Sequence, residues 1–426
     1  MVELAVLADD LTGGMIIASK LEADGVVCPL VTEAAYIAGL PASTKAIVLA
    51  RKIRFAPAEQ AREEARTAAA AFAARGARTL YYKYSAAFDS TDQGNIGPIA
   101  EALLAATGAE RTLFAPAYID LNLTVYKGHL FFGPILASDS PKRFDPVSPA
   151  LSADLVARLR AQTGLKVGLL DHQQLGDDPA AINQRLRAQA DTPFWIADSV
   201  DDRDVATLAA VSRTWPLVTG GDTLAPAILR DRLGDAPREA GSGRRLLPGT
   251  RGPEAVLAGS CGAATRRQLD AFEARHPLWR IDLARDGDTP GLVDAILAWA
   301  AERLPSGPVG VCTTSDPAGV AAAQAAFGRE GASERADRLM ASLAVGLRRE
   351  GVRKLVIAGG ETSGAILNAL DVRELEVATY DDLYGGYCRS RGGVETTFVL
   401  KPGGMGQPDF FFTALDRMRE AERALP

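Results

Sequence analysis

Short apolar runs alternate with longer Ala-, Leu- and Arg-rich stretches along the chain, the pattern of parallel sheets joined by helical crossovers. In the first half the runs Glu3–Ala8, Val26–Val31, Ala46–Ala50, Thr79–Lys83, Thr112–Ala115, Val167–Leu170, Phe194–Ala197 and Leu217–Thr219 predict strands. Helices are predicted between them, among others over Pro57–Arg75, where Pro57 suits a first turn, and over Ile96–Ala106. The pattern breaks around Leu233–Gly252 into Gly, Pro and Arg, which predicts a linker. A second series succeeds it, with strands at Ala255–Gly259, Trp279–Leu283, Val309–Cys312, Leu355–Ala358 and Thr396–Leu400. Its helices are predicted at Ala263–Arg275, Val293–Arg303, Ala318–Phe327 and Arg335–Arg349. The expected fold is α/β with two domains, residues 1–235 and 253–426 joined by a linker at 236–252. Each is a mainly parallel sheet flanked by helices, and the active site is expected in the interdomain cleft.

Open α/β sheets bind ligands beyond the carboxyl ends of their strands, so candidate chemistry is sought there. The first strand runs into Asp9-Asp10-Leu11-Thr12-Gly13-Gly14. One Asp is accounted for as a helix cap; two adjacent acids exceed that need and point to catalysis or substrate binding. The fourth strand runs into Lys83-Tyr84 and Phe88-Asp89-Ser90-Thr91, a cation with hydroxyls suited to a small, oxygen-rich anion. Thr124-Val125-Tyr126-Lys127-Gly128-His129 offers a further basic and polar cluster, although a lone His129 has a structural reading as well. The second half differs in kind. Its strand ends carry Gly259-Ser260-Cys261-Gly262, Gly359-Gly360-Glu361-Thr362-Ser363-Gly364 and Pro402-Gly403-Gly404-Met405-Gly406. Glycines let backbone N–H groups approach a ligand, and the helix starts beyond them add partial positive charge, so these loops suit phosphates.

Composition narrows the classes. In 426 residues, 47 Lys and Arg against 53 Asp and Glu give a net charge of −6, which gives no whole-chain case for nucleic-acid binding. The four cysteines form no CxxC pair and the three histidines no HExxH, which excludes a disulfide scaffold and weighs against zinc chemistry. No apolar run approaches the ~20 residues of a membrane span, and the acidic start does not read as a signal peptide. A cytoplasmic protein is expected. Neither a Walker P-loop nor a GxGxxG dinucleotide fingerprint is present.

The strings Ala8-Asp9-Asp10-Leu11-Thr12-Gly13, Lys83-Tyr84 with Phe88-Asp89-Ser90-Thr91, Gly94-Asn95-Ile96-Gly97-Pro98, Thr124-Val125-Tyr126 with Gly128-His129-Leu130, Gly259-Ser260-Cys261, Gly359–Gly364 and Pro408-Asp409-Phe410-Phe411 resemble the four-carbon acid-sugar kinases, in the right order over nearly the whole chain. The resemblance implies an N-terminal domain for the sugar acid and a C-terminal domain for ATP. It implies transfer of phosphate to the terminal hydroxyl of 3-oxo-tetronate, D-threonate, D-erythronate or a related acid, and the Phe88–Thr91 form looks closest to the 3-oxo-tetronate type. By the same carry-over Ser260, Gly359, Gly360, Glu361, Thr362, Gly403, Gly404 and Gly406 line the nucleotide site. The chain departs from the family pattern at Leu123, where an Arg is usual, in the order Arg51-Lys52-Ile53-Arg54, at Phe144-Asp145-Pro146, and at Asp222-Thr223. Losing an Arg from a carboxylate clamp costs about 1.5–3 kcal/mol. Either a neighbouring cation compensates or the acceptor differs, for example a branched or 3-oxo five-carbon acid. A catalytically silent nucleotide- or metabolite-binding regulator is the alternative outside enzymology.

In the mechanism expected from these readings, Asp10 orients or deprotonates the attacking hydroxyl, with Asp9 in reserve. Lys83, Asp89, Ser90, Thr91, Arg51, Arg54, Lys127 and His129 are the candidate acid-sugar contacts. ATP and Mg²⁺ are the expected cofactors, with the metal ligands left open and Glu361 the candidate; a homodimer is the expected assembly.

Overall fold

The structure, a computed structural model, describes residues 1–145, 148–234, 249–287, 289–379 and 386–425. Most of the expected linker, residues 236–248, and Pro146 lie outside the described residues. The chain divides into two compact units, Met1–Ser242 and Gly243–Pro426.

In the first unit the strands are β1 (Leu4–Ala8), β2 (Leu30–Val31), β3 (Ala46–Ala50), β4 (Leu80–Lys83), β5 (Thr112–Ala115), β6 (Leu123–Tyr126), β7 (His129–Phe132), β8 (Ile135–Leu136), β9 (Val167–Leu170), β10 (Phe194–Ala197) and β11 (Leu217–Gly220). The helices are α1 (Leu11–Ala23), α2 (Ala58–Ala74), α3 (Ile96–Thr107), α4 (Leu155–Ala161), α5 (Pro179–Ala188), α6 (Asp202–Ser212) and α7 (Leu224–Leu233). The main sheet has the order β2-β3-β1-β4-β11-β5-β10-β9, with every pairing parallel. Helices cover both faces, so β1 and β3 read as uninterrupted apolar runs and are buried throughout. Helix α2 turns Ala61, Ala65, Ala68 and Phe72 inward while its charged residues face out. The chain leaves β1 for β3 on one side and returns to β4 on the other, which makes the end of β1 a topological switch point.

The second unit contains β12 (Glu254–Ala258), β13 (Leu278–Arg280), β14 (Val309–Cys312), β15 (Lys354–Ala358), β16 (Glu374–Val377), β17 (Tyr387–Arg391) and β18 (Thr397–Lys401). Its helices are α8 (Ala263–Glu273), α9 (Leu283–Asp286), α10 (Leu292–Arg303), α11 (Pro317–Arg349), α12 (Gly360–Ala369) and α13 (Phe410–Arg423). The order is β13-β14-β12-β15-β18-β17-β16, parallel from β13 to β18 and antiparallel beyond. The switch point falls at β12, flanked by β14 and β15.

Both sheets agree with the sequence expectation of mainly parallel, helix-flanked layers. Four details differ. The run Val26–Val31 forms only the two-residue β2. A small antiparallel sheet β6-β7-β8 and the strands β16 and β17 were not expected. The two helices expected at 318–349 are one helix, α11, bent where Gly328 takes φ 71°.

Candidate active site

The first unit gathers its charge where β1, β3, β4 and β11 end side by side. Asp10 caps α1: Oδ1 accepts from the Gly13 N–H at 2.8 Å and Oδ2 from the Thr12 hydroxyl at 2.7 Å. A Cβ on residue 13 would lie 2.6 Å from Asp10 Oδ1, so the cap requires glycine there. The N–H groups of Ile53 and Arg54 donate to the Asp9 carbonyl at 3.0 and 3.2 Å, which brings the Arg54 side chain over the two acids. Its Nε and Nη2 donate to Asp9 Oδ2 and Oδ1 at 2.9 and 2.7 Å, and Nη2 lies 2.8 Å from Asp10 Oδ1. Asn95 fixes this segment from α3's N-terminus, donating Nδ2 to the carbonyls of Ile53 (2.7 Å) and Ala56 (2.9 Å).

Lys83, only 2% exposed, closes the cluster from β4. Its Nζ donates to the Tyr84 carbonyl at 2.7 Å and lies 3.3 Å from Asp222 Oδ1, beyond β11. Burial pushes the Asp9 carboxyl above the usual range despite Arg54, and pushes Asp222 up despite Lys83. Burial acts on Asp10 too, but Arg54, Lys83, Thr12 and Gly13 outweigh it and hold that carboxyl below its ordinary value. Burial disfavours the Arg54 charge, yet Asp10 and Asp9 reverse the effect and raise its proton affinity well above normal. Buried ion pairs of this kind cost about 3–5 kcal/mol when one partner is removed.

Asp89 stands one loop further along. Its Oδ1 is 2.5 Å from Lys142 Nζ and its Oδ2 accepts from the Ser85 hydroxyl at 2.6 Å. The intervening Phe88 is held at φ 49°, buried against the Tyr84 ring, so tertiary packing fixes this turn against local preference. The Ser90 hydroxyl accepts from Gln162 Nε2 at 2.8 Å, and the exposed Thr91 gives its carbonyl to the same amide at 2.5 Å.

Three expected acid-sugar contacts are not gathered here. Arg51 turns to α2, where Nε and Nη2 grip Glu64 at 2.8 Å each. Lys127 and Gly128, at φ 51° and 75°, form the two-residue turn between β6 and β7. Their N–H groups donate to Asp198 at 2.7 and 2.9 Å, while Lys127 Nζ pairs with Asp171 at 2.8 Å. His129 Nδ1 lies 2.9 Å from the Lys127 carbonyl. Asp222 and Lys142 belong near the cluster and were not singled out as site residues. Asp222 had a signal, since it comes directly after Gly220-Gly221 at a strand end; Lys142 had none.

In the second unit β12, β15 and β18 are consecutive in the sheet, so their three glycine loops are neighbours. The glycines permit this closeness. A Cβ on Gly259 would lie 2.1 Å from Thr362 Oγ1, and one on Gly403 would lie 2.0 Å from Ser260 Oγ. Helices α8 and α12 start at Gly262 and Gly359, neither of which can cap. Their first-turn N–H groups, at Gly360, Glu361 and Thr362 in α12, therefore form a partial positive charge open to an anion. The Gly403–Gly406 loop is fastened to α8 by Thr265, whose hydroxyl donates to the Gly403 carbonyl at 2.9 Å. Among the described residues no three His, Cys, Asp or Glu side chains converge as a metal site.

Residues 4–228 match a family model described as a sugar-binding N-terminal domain, and residues 255–411 one described as a nucleotide-binding C-terminal domain. A 3-oxo-tetronate kinase of Pseudomonas fluorescens is 38% identical, with 97% of each chain covered. One of Burkholderia multivorans is 37% identical, over 97% of this chain and 96% of its own. A solved Salmonella typhimurium LT2 structure superposes with a TM-score of 0.81 at 28% identity, covering 97% of this chain and 99% of that one. A Haemophilus influenzae protein superposes with a TM-score of 0.72, again at 28% identity, with 97% and 99% covered. Charged strand ends in a sugar-binding unit and glycine loops in a nucleotide-binding unit thus coincide with full-length similarity, and the chain belongs to the four-carbon acid-sugar kinase family.

Proposed function

We propose that this acid-sugar kinase transfers the γ-phosphate of MgATP to the terminal hydroxyl of 3-oxo-tetronate or a related four-carbon sugar acid. The observation that carries the reading is the set of three neighbouring glycine loops, two of them opening uncapped helices, in the nucleotide-binding unit. Such N–H arrays suit a polyphosphate, and Mg²⁺ enters as part of the substrate, held chiefly by the phosphates.

In the transfer the acceptor oxygen forms the new bond to γ-phosphorus, the β,γ-bridging bond breaks and ADP leaves. Asp10 stays ionised and accepts the hydrogen bond of the attacking hydroxyl, orienting it and receiving its proton as the bond forms. An ionised carboxylate offers about four acceptor positions. Asp10 uses three, for Gly13, Thr12 and Arg54, which leaves one for the substrate. Asp9, chelated by Arg54, is the reserve for this role. Lys83 Nζ spends two of its three protons on the Tyr84 carbonyl and Asp222, which leaves one for the acid sugar, and Asp89, paired with Lys142, acts electrostatically on Arg54.

One observation favours the second reading, a different acid sugar. Arg54 and Lys83 already face carboxylates, so neither comes to a substrate carboxylate as an unpaired cation. ADP release with MgATP and a panel of C4 and C5 sugar acids, including 3-oxo forms, decides. Turnover on a C4 acid supports the main reading, turnover confined to C5 acids supports the second, and ATP binding without turnover on any acid points to a silent regulator. The free thiols Cys28, Cys261, Cys312 and Cys388 suit a reducing cytoplasm. A homodimer, the commonest symmetric assembly, is read by light scattering in the same preparation.

A further inference from the structure

Lys401 ends β18 directly beneath the third glycine loop, with a side chain that has no solvent exposure. Its Nζ donates to the Pro402 carbonyl at 2.9 Å, the Met405 carbonyl at 3.0 Å and the Thr265 hydroxyl at 3.1 Å; the Gly403 carbonyl is at 3.5 Å. Thr265 passes the contact on to the Gly403 carbonyl, and Gln268 Nε2 donates to the carbonyls of Met405 (3.0 Å) and Gln407 (2.9 Å). The carbonyls of Pro402, Gly403 and Met405 are therefore all drawn inward.

No cis peptide bond occurs among the described residues, and in a trans peptide the C=O and N–H of one unit point in opposite directions. Drawing those three carbonyls inward turns the N–H groups of Gly403, Gly404 and Gly406 away from the lysine. None of the three donates a backbone hydrogen bond among the described residues. Three N–H groups turned to one side of a short loop make an anion-binding concavity. The ammonium suits the task because it carries three donors for three oxygens, where a guanidinium presents a planar fork and a thioether no donor.

We propose that Lys401 is a positioning residue for the nucleotide: it holds the loop carbonyls so that the N–H groups of Gly403, Gly404 and Gly406 face the phosphates. The inference rests on the reading of this unit as the ATP site. It adds a residue that need not touch the ligand. A consequence concerns protons. The groups packed on the ammonium are Thr265 of α8, the Phe410 ring of α13 at 5.7 Å and the loop backbone, with no carboxylate among the described residues to balance it. Burial lowers its pKa to about 7, so phosphates across the loop favour the protonated form, and binding at pH 8 takes up a proton.

The test measures MgATP affinity by calorimetry in buffers of different ionisation enthalpy, and adenosine binding by ligand-observed NMR. Wild type is compared with Lys401→Met and Thr265→Val, and folding is checked by thermal melts. The inference expects about 10- to 100-fold weaker MgATP binding in Lys401→Met, the range for lost preorganisation, with adenosine unchanged. It expects proton uptake at pH 8 in wild type and none in Lys401→Met. Thr265→Val, nearly isosteric and expected to fold, should weaken MgATP in the same direction by a smaller factor. MgATP binding equal to wild type in folded Thr265→Val and Lys401→Met, or an equal loss of adenosine, overturns the inference and leaves the kinase reading intact. If Lys401→Met fails to fold, Thr265→Val decides alone. A wild type that binds no nucleotide overturns both.

Discussion

The two units share an architecture and load it in opposite ways. Each puts a mainly parallel sheet between helices and places its first long strand, β1 or β12, at the switch point. Beyond β1 the chain supplies side chains: Asp10 caps α1, and Asp9, Arg54, Lys83 and Asp222 fill the space with buried, paired charge. Beyond β12 and β15 it supplies mainly glycines and helices without a side-chain cap, while the Lys401 ammonium at the end of β18 is hidden under the third loop. The difference reflects what each ligand needs. A small acceptor must be held at a few atoms and one hydroxyl activated, which calls for directional side chains. A polyphosphate carries its own charge along its length and is matched by many weak backbone donors.

If that division holds, the largest effect of a single change falls on the charged unit. Asp10→Asn should lower kcat by at least about 10²-fold, the range for a lost general base, with the KM for ATP unchanged. Asn can still accept the Gly13 N–H but loses the charge paired with Arg54, so the melting temperature should fall, and turnover is compared at a temperature where melts show the variant folded. A folded Asp10→Asn enzyme with near wild-type turnover would remove Asp10 from the role and shift attention to Asp9.

Glycine loops show the opposite sensitivity. Gly403→Ala places a methyl 2.0 Å from Ser260 Oγ and 2.9 Å from Ser260 Cβ, so the Ser260 side chain and the loop facing it must shift. The expected result is about a tenfold rise in the KM for ATP, with the KM for the acid sugar unchanged, because only preorganised donors are disturbed. A matching rise in both constants would show that the two kinds of site are not separable in this way.

How much of this contrast could be read from the chain depends on range. Strands buried on both faces announce themselves as apolar runs, and the residues just after each run are adjacent in sequence, so Asp9-Asp10, Lys83 and the three glycine loops were legible. Which of two nearby arginines serves the cluster was not. Arg51 and Arg54 look alike in sequence, and the choice is made by Glu64 on α2 and by Asn95 fixing the Ile53 and Ala56 carbonyls. Asp222 and Lys142 reach their partners across 139 and 53 positions, separations no local pattern encodes. Lys401 was hidden differently: as the last residue of an apolar strand it reads as a surface end, and only the fold shows the loop closing over it.

Lys127 gives the smallest and sharpest prediction, because it tests whether a cation near a family motif is a ligand or a turn. As sequence, Lys127-Gly128-His129 beside Thr124-Val125-Tyr126 looked like a basic cluster. As structure, Lys127 and Gly128 are the corner of the β6–β7 hairpin, both with positive φ, and Asp198 binds both N–H groups from β10's end. The Lys127 ammonium faces Asp171 and Gln173 at 2.8 and 3.1 Å and is largely open to water. Removing such a group takes away neither a buried charge nor a donor at the Asp9–Asp10 cluster. Lys127→Ala should therefore leave the KM for the acid sugar and kcat within about twofold of wild type, as expected where no ligand contact is lost. Lys127→Gly should do the same and relieve the left-handed backbone that lysine tolerates poorly. A large rise in the acid-sugar KM, shared by both variants and absent for ATP, would instead place the hairpin over the acceptor and extend the charged unit's site to β6 and β7.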